Sequence, residues 1–146
     1  MRRLFVAIDL PPDLKASLAK LGEDMPAGRW VGDQNLHLTL RFIGEMEEGL
    51  LEGIKAALAG IRHARFAMML AGVGHFARHT LWVGVVECPP LRSLQREIDA
   101  ALVGFGLPAD PRPFRPHVKL GKLPWREGRT LKRFLRANAS FQAAPF

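Results

Sequence analysis

The sequence predicts a two-lobed, pseudo-symmetric α+β domain, and three observations carry that reading. Apolar residues alternate with period two in short stretches, which is the pattern of half-buried strands. Other stretches repeat leucine and isoleucine at three- and four-residue spacing, the pattern of amphipathic helices. The order helix then His-bearing strand occurs twice, and Leu14 precedes His37 by the same number of positions as Leu94 precedes His117. Such a repeat is topological, and it implies one His strand per lobe with a central cleft as the natural place for a ligand. At 146 residues and 48% hydrophobic, the chain suffices for one compact domain and is short for two, so 1–146 is expected as a single domain.

Each element follows from its local chemistry. Residues 2–9 alternate Leu4, Val6 and Ile8 against Phe5, Ala7 and Asp9, a strand that Pro11-Pro12 ends. Asp13 is expected to cap a helix presenting Leu14, Leu18 and Leu21. A turn at Met25-Pro26-Ala27-Gly28 leads to a strand over about 35–43, which Gly44 is expected to stop. Leu50, Leu51, Ile54, Leu58 and Ile61 then mark a second helix. Strand-like runs at about 65–73 and 80–87 flank a Gly/His loop, and Pro89-Pro90 precede a helix carrying Leu91, Leu94, Ile98 and Leu102. A Pro-rich stretch delivers a strand from His117, and a last helix at about 129–137 carries Leu131, Phe134 and Leu135.

Charge is concentrated. The whole chain carries +7, and between Arg112 and Arg136 stand nine basic residues against Glu127 alone, while the remainder is close to neutral. A localised positive field beside the second His strand favours a polyanionic partner such as RNA, although a helix over 129–137 would also present such residues merely as a solvated face. The single Cys88 cannot form an internal disulfide and no Cys/His cluster has zinc spacing, which fits a reducing, cytoplasmic setting. The apolar run at the N-terminus breaks at Asp9, too early for a signal peptide, and no stretch is long enough to span a bilayer.

The chemistry lies in two segments. In Asn35-Leu36-His37-Leu38-Thr39-Leu40, strand alternation puts His37 and Thr39 on one face and the leucines on the other. In Pro116-His117-Val118-Lys119-Leu120, His117 and Lys119 share a face over Val118 and Leu120. Brought together, these strands would gather two imidazoles and two phosphate-capable donors, the inventory of phosphoryl transfer without a metal or cofactor.

Beyond these motifs, Arg3-Leu4-Phe5-Val6-Ala7-Ile8-Asp9-Leu10-Pro11, Arg29-Trp30-Val31, Arg41-Phe42-Ile43-Gly44-Glu45, Gly72-Val73-Gly74-His75-Phe76, Leu81-Trp82-Val83-Gly84-Val85 and Arg112-Pro113-Phe114-Arg115-Pro116-His117 occur in a recognisable order. Across essentially its whole length the chain resembles the RNA 2′,3′-cyclic phosphodiesterases, historically called 2′-5′ RNA ligases, of the two-histidine phosphoesterase superfamily. The resemblance implies a bilobal fold of antiparallel sheets with outer helices around the active-site cleft. It implies hydrolysis of RNA or nucleotide 2′,3′-cyclic phosphate ends to 2′-phosphates, with His37 as general acid to the leaving 3′-oxygen and His117 as general base to water. The sequence by itself leaves the order of acid and base open. Thr39 and Lys119 would hold the phosphate, with Phe42, Lys122 and Arg115 as further substrate contacts.

Three departures from the family pattern stand out. Lys119 occupies a position that usually holds Thr or Ser, and Lys122 one where Arg is common. The family commonly continues beyond the position of Phe146, so the chain is expected to be short at its C-terminus, with a strand edge or apolar patch left exposed unless residues 139–146 fold back over it. The residues leave two alternative functions open: an RNA-binding protein of the same fold with weak turnover, and a reversible 2′-5′ ligase.

Other residues have blander readings beside the functional ones. Phe42 matches Leu38 and Leu40 in parity, which favours core packing over a base-binding wall. Asp9 reads as a strand-end turn acceptor in preference to a partner for a catalytic His. His75 and His79 read as loop residues and not as a helical metal pair, given Gly72 and Gly74 nearby. Trp30 and Trp82 read as packing residues, and Trp125, in the basic segment, as an exposed stacking surface.

Overall fold

The computed structural model describes the backbone of all 146 residues and every side chain except that of Arg78. The elements run β1 (Arg2–Asp9), α1 (Pro12–Lys20), β2 (Arg29–Trp30), β3 (His37–Met46), α2 (Leu51–Ala59), β4 (Leu70–Phe76), β5 (Thr80–Val85), α3 (Pro89–Phe105), β6 (His117–Lys122) and α4 (Gly128–Ala137). Hydrogen bonding orders the strands β1-β3-β6-β5-β4, with β2 also on β6, and the pairings of β6 with β2, β3 and β5 and of β4 with β5 are antiparallel. The α+β expectation holds.

Two compact units share the chain. The first takes Met1–Ile8, Thr39–Phe66 and Cys88–Arg115, and the second takes Asp9–Leu38, Ala67–Glu87 and Pro116–Phe146. In the first, α2 packs on α3 so closely that a side chain at Gly53 would overlap the Phe105 ring. Leu40, Ile54, Leu91, Ile98 and Leu102 are buried there. So is Arg41, only 5% exposed, whose guanidinium donates to Asp99 Oδ1 at 2.8 Å and to the carbonyls of Phe42 and Pro108. A buried charge is tolerated when every donor finds an acceptor, and the Asp99 carboxylate supplies the compensating charge.

The second unit has its apolar core on one face of its strands. Leu38, Leu70, Leu81, Val83 and Val118 are all at 0% exposure, and the buried residues of α1 (Leu14, Leu18) and α4 (Leu131, Phe134) add to this core. The tail continues the sheet beyond β4. Met68 and Phe146 exchange N–H···O bonds at 2.7 and 2.9 Å, Gly72 N donates to Phe141 O at 2.8 Å, and Ala143 N donates to Leu70 O at 3.0 Å. Residues 141–146 thereby pair with the stretch from Met68 to Gly72, which includes the start of β4.

Several boundaries differ from the sequence reading, for identifiable reasons. Asp13 does not cap α1; the helix begins at Pro12, with Pro11 in extended backbone before it, and Asp13 lies in the first turn. Gly44 does not stop β3 but sits within it at φ 92°, a conformation glycine adopts without penalty. Pro89 and Pro90 lie in the first turn of α3, where a missing N–H removes no helical bond. β4 begins later than expected and runs through Gly72, Gly74 and His75. Gly74 belongs in a strand here because the Trp82 indole occupies the space that a side chain would need.

Candidate active site

Within the second unit, strand register determines which side chains share a face. Leu38 of β3 lies opposite Val118 of β6, so the antiparallel register sets His37 across from Lys119. On the other side of β6, His117 faces Gly84 and Lys119 faces Trp82. Because cross-strand partners point to the same side, His37, His117, Lys119 and Trp82 project from one face while Leu38, Val118 and Val83 fill the core on the other. His37 and His117 are half-buried and Lys119 is exposed.

The ladder between β5 and β6 is then interrupted by an irregularity. The register shifts between Leu81 and Trp82, so that Leu81 faces Gly121 and Thr80 faces Lys122. The extra residue on β6 keeps Lys122 on the His face, which strict alternation from His117 and Lys119 would not. Arg29 of β2 pairs with Lys122 and joins it on that face. Gly121 is obligatory at this point, since a side chain would collide with the Arg29 carbonyl and with Trp30.

Around His117 stands an aromatic wall that the sequence reading assigned to packing or passed over. The Phe76 ring meets the imidazole edge to face, with centroids 4.9 Å apart and planes at 86°, and the Trp82 ring lies 6.3 Å from it. Phe76 and Trp82 are themselves 5.5 Å apart. Trp82 Nε1 is buried without a hydrogen-bond partner among the described residues. The available signal was the pair of glycines, Gly74 and Gly84, that β4 and β5 place on either side of Trp82.

The remaining candidates occupy varied positions. Thr39 comes two residues after His37 on the same strand, half-buried, and belongs with the first unit. Asp9 is exposed, accepts from Leu10 N at 3.0 Å and pairs with Lys15 at 2.9 Å, as a strand-end acceptor should. The Lys15 hydrogen bond and then the Leu10 N–H hold its carboxyl below the usual value, with a lesser contribution from the charge of His37. The core reading of Phe42 is overturned. It is 44% exposed, 6.2 Å from the Phe5 ring and under the Arg112 guanidinium at 5.4 Å, because Arg41 takes the buried position and breaks the alternation of β3. Arg115 is exposed at the end of the segment preceding β6. His75 lies on β4 and His79 in a short 3-10 turn, so they do not form a helical pair. Among the described residues, no three His, Cys, Asp or Glu side chains gather as a metal site, and no helix is long and apolar enough to cross a membrane.

Comparison with known proteins places this antiparallel α+β fold in a class of phosphoesterases. The family model described as LigT like Phosphoesterase matches residues 8–86, and the chain belongs to that family. It is similar to the RNA 2′,3′-cyclic phosphodiesterase of Aeropyrum pernix, 37% identical over 115 residues, covering 75% of this chain and 64% of that protein. It is also similar to the RNA 2′,3′-cyclic phosphodiesterase of Geobacillus stearothermophilus, 30% identical over 128 residues, covering 81% of this chain and 41% of the relative. The chain thus spans less than two thirds of the length of these relatives. The crystal structure of E. coli LigT complexed with 3′-AMP superimposes with a TM-score of 0.75 at 30% identity, over 84% of this chain and 74% of that one.

Proposed function

We propose that this chain hydrolyses 2′,3′-cyclic phosphates, at RNA ends or on nucleotides, to 2′-phosphates. The observation that carries the reading is the register that sets His37 and His117 on one face of adjacent strands, with Lys119 across from His37. In this reaction a water oxygen bonds to phosphorus and the bond from phosphorus to the 3′-oxygen breaks. His117 accepts the proton of the attacking water and His37 delivers one to the departing 3′-oxygen, and exchange with solvent restores both imidazoles. This division of labour suits a side chain whose ordinary pKa is near 6.5.

Lys119 and Thr39 stabilise the nonbridging phosphate oxygens, where negative charge must be held in the transition state, and Lys122 is a further substrate contact. Phe76 and Trp82 restrict the ring of His117, which favours a defined orientation toward the water. Both proton transfers use imidazoles, so the reading requires neither metal nor cofactor. A single cysteine, Cys88, leaves no internal disulfide to form, which suits a reducing cytoplasm.

The deciding experiment is turnover of a nucleoside 2′,3′-cyclic phosphate in the presence of EDTA. Formation of the nucleoside 2′-phosphate supports the reading. Absence of turnover, with retained binding of a 2′-phosphate, would favour a binding protein in which Lys119 has replaced the catalytically competent Thr or Ser. Activity lost in chelator and restored by a divalent ion would overturn the metal-free mechanism.

A further inference from the structure

The strand that carries His117 leads directly to the most exposed large aromatic residue of the molecule. Trp125 is 84% exposed, a large apolar surface presented to water. It lies three residues beyond Lys122, which places their Cα atoms within about 11 Å of each other.

The turn that holds it is anchored on both sides. Leu123 N donates to His79 O at 3.1 Å, extending the β5–β6 ladder by one rung, and the His79 imidazole Nδ1 is 3.1 Å from the Pro124 carbonyl. His79 occupies the left-handed region at φ 54°, a strained conformation for a residue with a side chain. After the Trp, Glu127 N closes the turn onto Pro124 O at 2.9 Å, and the Glu127 carboxylate accepts from Thr130 Oγ1 at 2.8 Å. An indole on a fixed turn is a preorganised platform.

Cations precede and follow Trp125 along the chain. Lys119, Lys122 and Arg29 share the His face, and Arg126 and Arg129 come after Trp125, all exposed. A 2′,3′-cyclic phosphate is by its chemistry the 3′ end of an RNA, so every other nucleotide of a substrate lies on its 5′ side. From these placements we propose that Trp125, flanked by Lys122 and Arg126, is a subsite that stacks a base and holds the backbone of nucleotides 5′ to the cyclic end. The chain then acts on single-stranded RNA ends in preference to free cyclic nucleotides. The inference rests on the hydrolytic reading above and adds the polymer to it. Stacking on an aromatic side chain is tolerant of base identity, so the subsite selects for chain length and not for sequence.

The test compares 2′,3′-cyclic AMP with a pentaribonucleotide ending in a 2′,3′-cyclic phosphate, using the wild-type chain, Trp125→Ala and Trp125→Phe. Trp125→Ala is expected to raise KM for the pentamer about 5- to 150-fold, the range of one base-stacking contact, and to leave kcat and the kinetics of the mononucleotide unchanged. Trp125→Phe should restore most of the pentamer affinity. An equal effect on both substrates, or none on either, overturns the subsite. Fluorescence anisotropy of a labelled pentamer ending in a 2′-phosphate separates this from failure of the hydrolytic reading. If the wild type hydrolyses neither substrate, that reading falls, whereas weaker pentamer binding by Trp125→Ala upholds the subsite and unchanged binding refutes it.

Discussion

The strands β3 and β6 begin alike and end differently. Each opens with a half-buried His and alternates for three residues over a buried Leu38 or Val118. In β3 the alternation then fails inward: Leu40 and Arg41 are both buried, the arginine is neutralised by Asp99, and Phe42 is turned to the surface. In β6 it fails by an inserted residue at Leu120–Gly121, which keeps Lys122 on the face of His117. The first irregularity serves the core and the second extends a row of cations. A motif of three or four residues is thus governed by strand geometry, whereas the remainder of each strand is governed by the partners that the fold supplies.

This contrast can be broken most directly at the shared element, the histidines. His37→Ala and His117→Ala are each expected to lower kcat on a cyclic nucleotide about 10²–10⁴-fold, the range for a general acid or base. A variant that keeps near-normal kcat removes its His from the mechanism. The wild-type rate should also trace a bell against pH, and a flat profile between pH 5 and 9 would exclude two titrating imidazoles.

The next largest effect separates the two irregularities. Asp99→Asn leaves the Arg41 guanidinium buried without its counter-charge and is expected to destabilise by about 3 kcal/mol in urea unfolding. Lys122→Ala, on an exposed residue, should change stability by no more than about 0.5 kcal/mol while weakening substrate binding. Equal stability losses would erase the distinction between the two strands. A smaller effect is expected at Gly74→Ala, where the new methyl group displaces the Trp82 indole; overpacking of this kind costs about 1–3 kcal/mol and should alter Trp fluorescence.

The smallest effect belongs to Asp9. Its folded carboxyl titrates below the ordinary value because of Lys15, so its contribution to stability is present above that value and is lost as pH falls through the folded pKa. Lys15→Met should remove this part of the acid sensitivity. The pair is solvent-exposed on the carboxylate side, so the shift in the acid-unfolding midpoint should be slight.

The sequence revealed those features that depend on local periodicity. Leucines and valines at alternate positions placed the two histidines on strand faces, and helical spacing located α1 to α4 within a few residues. The features it hid depend on groups distant along the chain. Arg41 is buried by Asp99 and the Pro108 carbonyl, which lie far from it along the chain. Trp82 and Phe76 become a wall around His117 only when β4, β5 and β6 are in register. The glycines of β4 looked like loop punctuation because the indole that fills their space comes from the next strand.

The division of the chain into interleaved segments also bears on how the protein comes into being. Each compact unit draws on three separate stretches, and the second is completed only with residues from Pro116 onward. During synthesis, β3 finds β1 already made, but His37 must wait for β6 to leave the ribosome before it shares a sheet face with His117, and the long loops closed in that step make folding slow relative to a helical protein of this size. No single cut separates the units into contiguous fragments. Neither half can be expressed as one uninterrupted piece, and cleavage in the segment between α3 and β6 would detach the second histidine strand from one unit without freeing the other.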